Sequence, residues 1–261
     1  MARGRDGGPI GDGDLAALEA EMTALALPAA VITIGDPPVS DPIESALGGP
    51  AWRPAGTEWP AWKRRPMLFL AQLNFAEIPP LPDFPESGLL QIFVGDSDVL
   101  GCSFPSTPGE GVHIDFWPEP SGGGAVLGPV SRNAPFEDRR IGEHGRRLSF
   151  EAAQVLPSVE DWRVLPLIEP LWERPGEETL ELFLDRVNDA HPTHHVGGHP
   201  EFTQYDIRSD ETHADYDRTL LKLGSDEAIM WGDAGEANWL IPATALREHR
   251  FDRTLYSWDC T

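Results

Sequence analysis

Apolar residues in this chain come in short runs punctuated by glycine and proline. Leu15, Leu18, Met22 and Leu25 fall on one helical face behind Asp14, which can cap the helix. Ala29 to Ile34 reads as a strand closed by the turn Gly35-Asp36-Pro37-Pro38. Leu68 to Leu73 and Leu89 to Val94 are the strongest strand candidates, and the prolines at 79, 80 and 82 keep the link between them extended. Val112 to Trp117 and Asp161 to Ile168 read as further strands. Glu177 to Asn188 predicts a helix with Leu180, Phe183, Leu184 and Val187 on one stripe and an acidic start that suits the helix dipole. Leu220 to Leu223 is a strand. Ile229-Met230-Trp231 is expected to turn through Gly232-Asp233-Ala234-Gly235 into Asn238 to Ile241 as a hairpin. A short helix over 242–249 and a strand over 254–258 complete the pattern.

Strands outnumber helices and their connections are short. The expectation is an α+β fold, mainly an antiparallel β-sheet with a few flanking helices. The pattern also repeats. Gly48-Gly49-Pro50, the run Met67 to Asn74, Gly88 and the run Leu89 to Val94 are matched later. The second series is Gly197-Gly198-His199-Pro200, Thr219 to Leu223, Gly235 and Ala237 to Ile241. This predicts internal duplication of a sheet unit. The implied division is a flexible leader (1–13), a first unit (14–130), a linker (131–149) and a second unit (150–261) packed on the first as one globule.

Composition narrows the function classes. With 43 acidic and 20 basic residues the formal net charge is −23, which repels phosphate backbones and argues against nucleic-acid binding. The same charge would steer a basic protein partner toward the surface. Only Cys102 and Cys260 are present, so no disulfide framework or thiolate zinc site is indicated. No signal peptide or membrane span is legible, and a cytoplasmic protein is expected.

Candidate chemistry concentrates in a few places. His191, His194, His195 and His199 lie on one loop and could meet zinc or another divalent metal, although no His-Glu-x-x-His pair occurs. Loop scaffolding is the simpler role, and no cofactor is predicted. The acidic run Asp206, Asp210, Glu211, Asp215 and Asp217 lacks the glycine bend of a calcium loop and reads as a solvated loop. Asp233 suits a tight turn. Trp59 and Trp231 sit beside strands and are expected to pack. Gln72, Asn74 and Gln91 interrupt apolar strands, either as the floor of a polar pocket or as ties for the proline loops. Phosphate-loop, dinucleotide and nucleophile-elbow motifs are absent.

Several segments together resemble the YwqG-like proteins, a bacterial family with a domain of unknown function. They are GGPAW, TEWP, MLFLAQLN, SGLLQIFV, HHVGGHP, TLLKLGSDEAIMWGDAGEANWLI and YSWDC, spanning about Ile43 to Cys260. The resemblance implies an α+β fold with internal duplication, and some members look like occupants of toxin and immunity neighbourhoods. It implies no catalytic residue. Lys222 departs from the pattern, standing where the matching strand is usually Leu-Leu-Gln. The expected function is a non-catalytic protein-binding module, immunity-like in one version and engaging a basic partner. The alternatives are a metal-assisted hydrolase using the histidine loop, or a small-ligand sensor between the repeats.

Overall fold

The structure, a computed structural model, describes residues 8–35, 40–129, 131–209 and 212–261. Helix α1 (Asp12–Ala24) leads into β1 (Leu27–Ile34). The first half continues with β2 (Ala46–Leu47), β3 (Ala51–Pro54), β4 (Ala61–Trp62), β5 (Arg65–Pro66), β6 (Leu68–Asn74), β7 (Leu89–Val94), β8 (Val112–Trp117) and β9 (Gly123–Val126). Helix α2 (Arg139–His144) precedes β10 (Arg146–Val155), then α3 (Leu165–Trp172) and α4 (Glu177–Asp189). The chain closes with β11 (His194–Gly197), β12 (Arg218–Gly224), β13 (Glu236–Ile241), α5 (Ala243–Arg247) and β14 (Leu255–Asp259).

Ten strands form one sheet in the order β14-β13-β12-β11-β1-β10-β2-β6-β7-β8, with antiparallel pairing throughout. The fold is α+β. Its centre is the long pair β1–β10, which runs from Leu27 opposite Val155 to Ile34 opposite Leu148. Each central strand then meets the short strand of the other half: β1 pairs with β11, and β10 with β2.

Outward from this pair the registers agree position by position. Ala46 faces Gln72 as His195 faces Lys222. Gln72 faces Gln91 as Lys222 faces Asn238. Gln91 faces Asp115 as Asn238 faces Ser257. Both β6 and β12 are irregular at the matching step, between Phe69 and Ala71 and between Thr219 and Leu221. Both glycine pairs lie in the left-handed region, at φ 64° and 75° for Gly48 and Gly49 and 73° and 66° for Gly197 and Gly198. At Gly49 a side chain is also barred by space, because a Cβ would stand 2.6 Å from the Gly145 amide nitrogen.

The main core spans both halves and includes Leu70, Leu73, Ile92, Leu221, Trp231 and Trp239. A second apolar cluster joins α1, α3 and α4 through Leu18, Met22, Ile168, Leu180, Phe183 and Val187, in line with the helical stripes. Ile10 is buried in it and its amide donates to the Pro175 carbonyl at 2.8 Å, so the tail of the stretch read as a leader is packed.

Four sequence expectations are corrected here. Helix α1 starts at Asp12, and Asp14 lies inside it, accepting the Gly11 amide at 3.0 Å instead of occupying the cap. Asp161 to Ile168 is not a strand. The Asp161 carbonyl accepts Val164 N–H at 2.8 Å and nucleates α3, where Pro166 falls in the first turn that tolerates it. Strand β10 was not expected, and it begins within the stretch read as a linker. Ile229 does not open a hairpin with Asn238 to Ile241. β13 pairs with β12 and β14, while Ile229 bridges to Phe136. Residues 1–7, the turn residues 36–38, and Asp210 and Glu211 lie outside the described residues. Among the described residues no helix is long and apolar enough to cross a membrane.

Candidate functional site

In each half the chain leaving the glycine pair is tied down over a row of polar side chains that share one face of the sheet. Trp52 and Glu201 occupy the same place, three residues past the second glycine. In the first half Gln72 Oε1 accepts the Trp52 amide at 3.3 Å, and Gln91 Nε2 donates to the Trp52 carbonyl at 2.6 Å. In the second half Asn238 alone holds both backbone groups of Glu201, accepting its amide at 3.4 Å and donating to its carbonyl at 2.7 Å. Short polar side chains on a strand cannot leave these groups unpaired without the full penalty of burial.

The two rows differ in charge. In the first half the buried Arg53 guanidinium pairs with Asp115, donates to Gln91 Oε1 at 3.3 Å and to the Glu58 carbonyl at 2.8 Å, and stacks between the Phe93 and Trp117 rings. Burial opposes ionisation of Asp115, but His113 at 3.0 Å and Arg53 outweigh it and lower its pKa. One cation meets one carboxylate.

In the second half Lys222 stands where the first half has Gln72, and it is fully buried. Its Nζ lies 2.7 Å from Glu201 Oε2, 2.8 Å from Glu236 Oε2 and 3.2 Å from the Pro192 carbonyl. The ammonium is thus the central cation of an oxygen cage, although Glu236 sits off its hydrogen-bonding direction. His191 Nδ1 reaches Glu201 at 3.2 Å with similarly poor alignment. Burial disfavours charge on Glu201, yet His191 and Lys222 hold its pKa down to about 2. Glu236 goes the other way. Burial, with the charges of Glu201 and Asp259, raises it to about 7 against the pull of Lys222. Glu160 is raised to about 7 by burial and by Glu201 and Asp259, and burial also raises Asp259. Glu201 and Glu236 thus share Lys222, and the charges of Glu201 and Asp259 reach both Glu160 and Glu236.

The four histidines do not converge. His194 and His195 are neighbours on β11 and point to opposite faces, as strand geometry requires. His194 Nε2 donates to Asp226 at 3.0 Å. His195 Nδ1 donates to the Gly197 carbonyl at 2.9 Å, and burial, His191 and Lys222 keep its pKa well below the ordinary value. His199 Nε2 donates to the Leu25 carbonyl at 2.7 Å, and its Nδ1 accepts from Arg163 at 2.8 Å, beside the buried Asp161–Arg208–Asp206 network. Only His191 and His195 meet, with ring centres 5.5 Å apart. Among the described residues no group of three His, Cys, Asp or Glu side chains is placed to hold a metal ion.

The other candidate residues scatter. Gln72 and Gln91 meet at 3.0 Å in the first polar row. Asn74 donates to the Ile43 carbonyl at 3.1 Å and caps the turn at Ala76, which makes it a loop tie. Trp59 packs edge-on against Phe93 and donates to the Met67 carbonyl at 2.9 Å. Trp231 is buried against Trp239, and Asp233 is exposed in the following turn.

A family model described as a domain of unknown function (DUF1963) matches residues 45–260, which include both glycine pairs and both polar rows. The chain belongs to this family. The DUF1963 match begins after β1, although β1 lies at the middle of the sheet. No curated protein matches the chain.

Sequence reasoning missed the charged members of this DUF1963 site: Arg53, Glu160, Glu201, Glu236 and Asp259. A signal did exist for one of them: Glu201 holds the offset of Trp52 from its glycine pair. Arg53 and Asp259 carry no such mark, because their neighbours come from other strands.

Proposed function

We propose that the chain is a non-catalytic protein-binding module whose second half takes a cationic side chain from a basic partner. The single observation that supports this is the charge imbalance beside Lys222: Glu201 and Glu236 both lie against this one lysine, and the charges of Glu201 and Asp259 also reach Glu160, whereas Arg53 and Asp115 balance in the first half. Burial first, and then the charges of Glu201 and Asp259, raise Glu160 and Glu236 to about 7. An arginine or lysine set against these carboxylates would favour their ionised form and offset the repulsion. The exposed Tyr205 adjoins this cluster, since Asp259 accepts backbone amides from the same stretch, that of Gln204 at 2.8 Å among them. Aromatic faces beside carboxylates suit a guanidinium. YwqG-like membership within the family, with an immunity-like role, is the specific version of this reading.

The test is calorimetric titration with nona-arginine at about 50 mM and about 300 mM salt. At about pH 8.5, above the values to which Glu160 and Glu236 are raised, the variant E160Q/E236Q is compared with E178Q/E181Q, which removes two carboxylates from exposed α4. Affinity should fall with salt for all three proteins, and E160Q/E236Q should bind at least about fivefold more weakly than E178Q/E181Q. Equal losses in the two variants would mean that only net charge is read, and the assignment of this carboxylate cluster would fail.

A further inference from the structure

A separate cavity of about 460 Å³ opens between β6 and the segment that leads from the first half into β10. Its volume lies within the roughly 300–1,000 Å³ of small-molecule sites. Leu68, Phe69, Ala134 and Phe136 give it apolar walls, and Arg132, Arg139 and Glu137 add charge.

The walls are held in place from three sides. Ser131 Oγ and Asn133 Nδ2 each donate to Asp96 at 2.7 Å. Glu137 N–H donates to the Ala228 carbonyl at 3.1 Å, and Met230 N–H to the Pro135 carbonyl at 2.7 Å. The Gly48-Gly49 turn packs against α2 so closely that a Cβ on Gly48 would lie 2.5 Å from the Ile141 carbonyl oxygen. The cavity is therefore preformed at the join of the two halves.

Its charge is unusual for this chain. Arg139 is engaged with Glu143 at 3.0 Å, but Arg132 has no hydrogen bond or ion pair among the described residues. In a protein of net charge −23 most cations are paired internally, so an unengaged guanidinium over an apolar floor stands out. We propose that this cavity binds a small amphipathic anion, with an aryl or acyl body against Phe69 and Phe136 and a carboxylate, sulfonate or phosphate head on Arg132. Guanidinium recognises such heads through charge-assisted, often bidentate hydrogen bonds. The site is independent of the acidic cluster at Lys222, and neither reading depends on the other.

Fluorescence titration of the full chain with 8-anilinonaphthalene-1-sulfonate tests it, with neutral N-phenyl-1-naphthylamine as the comparison probe. Saturable binding of the sulfonate is expected, weakened about tenfold by R132Q and little changed by R65Q, which removes the same charge elsewhere. R132Q should leave the neutral probe unaffected. G142L should abolish binding of both probes, because a Cβ at Gly142 meets only the Phe136 ring, at 3.5 Å, and the longer side chain then fills the cavity. A134F fills it from the other wall if G142L lowers the melting temperature. Sulfonate binding that responds equally to R132Q and R65Q, or that survives a folded cavity-filling variant, overturns the proposal.

Discussion

Replacing Lys222 with Gln installs in the second half the residue that the first half carries at the same register. The amide can still donate to the Pro192 carbonyl, but the cage loses its cation. Glu201 is held from the ordinary 4.5 down to about 2, an interval worth roughly 3 kcal/mol of folding stability above pH 4.5. Lys222 and His191 together produce it, so His191 alone retains only part. Glu236 loses its one attractive neighbour, which pushes its pKa further up. Breaking a buried ion pair from one side typically costs about 3–5 kcal/mol. The lower end is expected here, because Glu201 and Glu236 retain some contact with solvent. For a chain of this size about 3 kcal/mol corresponds to a fall of roughly 6–12 °C in melting temperature. The assay is thermal and urea denaturation of K222Q at about pH 8 and about pH 5. At the lower pH Glu236 is already mostly protonated in the parent protein, so the loss should shrink. A loss below about 1 kcal/mol at pH 8, or an equal loss at both pH values, would refute the view of Lys222 as the cage's required counter-ion.

Glu236 gives the opposite sign. Its folded pKa is raised from 4.5 to about 7, so its ionisation penalises the fold increasingly as pH climbs through that window, by up to roughly 3 kcal/mol above it. E236Q should therefore stabilise the protein at about pH 8 and change little at about pH 4.5, which urea midpoints across pH will show. Gly49→Ala should cost about 2 kcal/mol or more, since φ is 75° and a Cβ meets Gly145, whereas G124A in β9, with open space around it, should stay within about 0.5 kcal/mol by the same assay. Dialysis of tag-free protein against a chelator should leave the melting temperature within about 1 °C, because an ammonium already occupies the oxygen cage. A clear drop would revive the histidine loop as a metal site.

Local periodicity in the sequence determined most of the elements. The apolar runs of β6, β7, β12 and β13 and the stripe of α4 follow from alternation or helical spacing, which neighbouring residues impose on one another. The repeated order of glycine pair and strands was legible for the same reason. Asp161 to Ile168 was not, because an apolar run of that length suits either state and the decision came from Asp161 turning the chain into α3. The half-exposed β10 has no continuous apolar face to announce it, and its strand state rests on pairing along the whole of β1. The site is further still from local rules. Four histidines adjacent in sequence part company because successive residues on a strand face opposite ways and the loop beyond turns toward α1. Meanwhile Glu201 and Glu236 meet at Lys222, and Glu160 and Asp259 come within reach of their charge, only when the sheet and its covering loop close. Burial sets the charge of each of these groups, and burial is a property of the folded chain that no neighbouring residue carries.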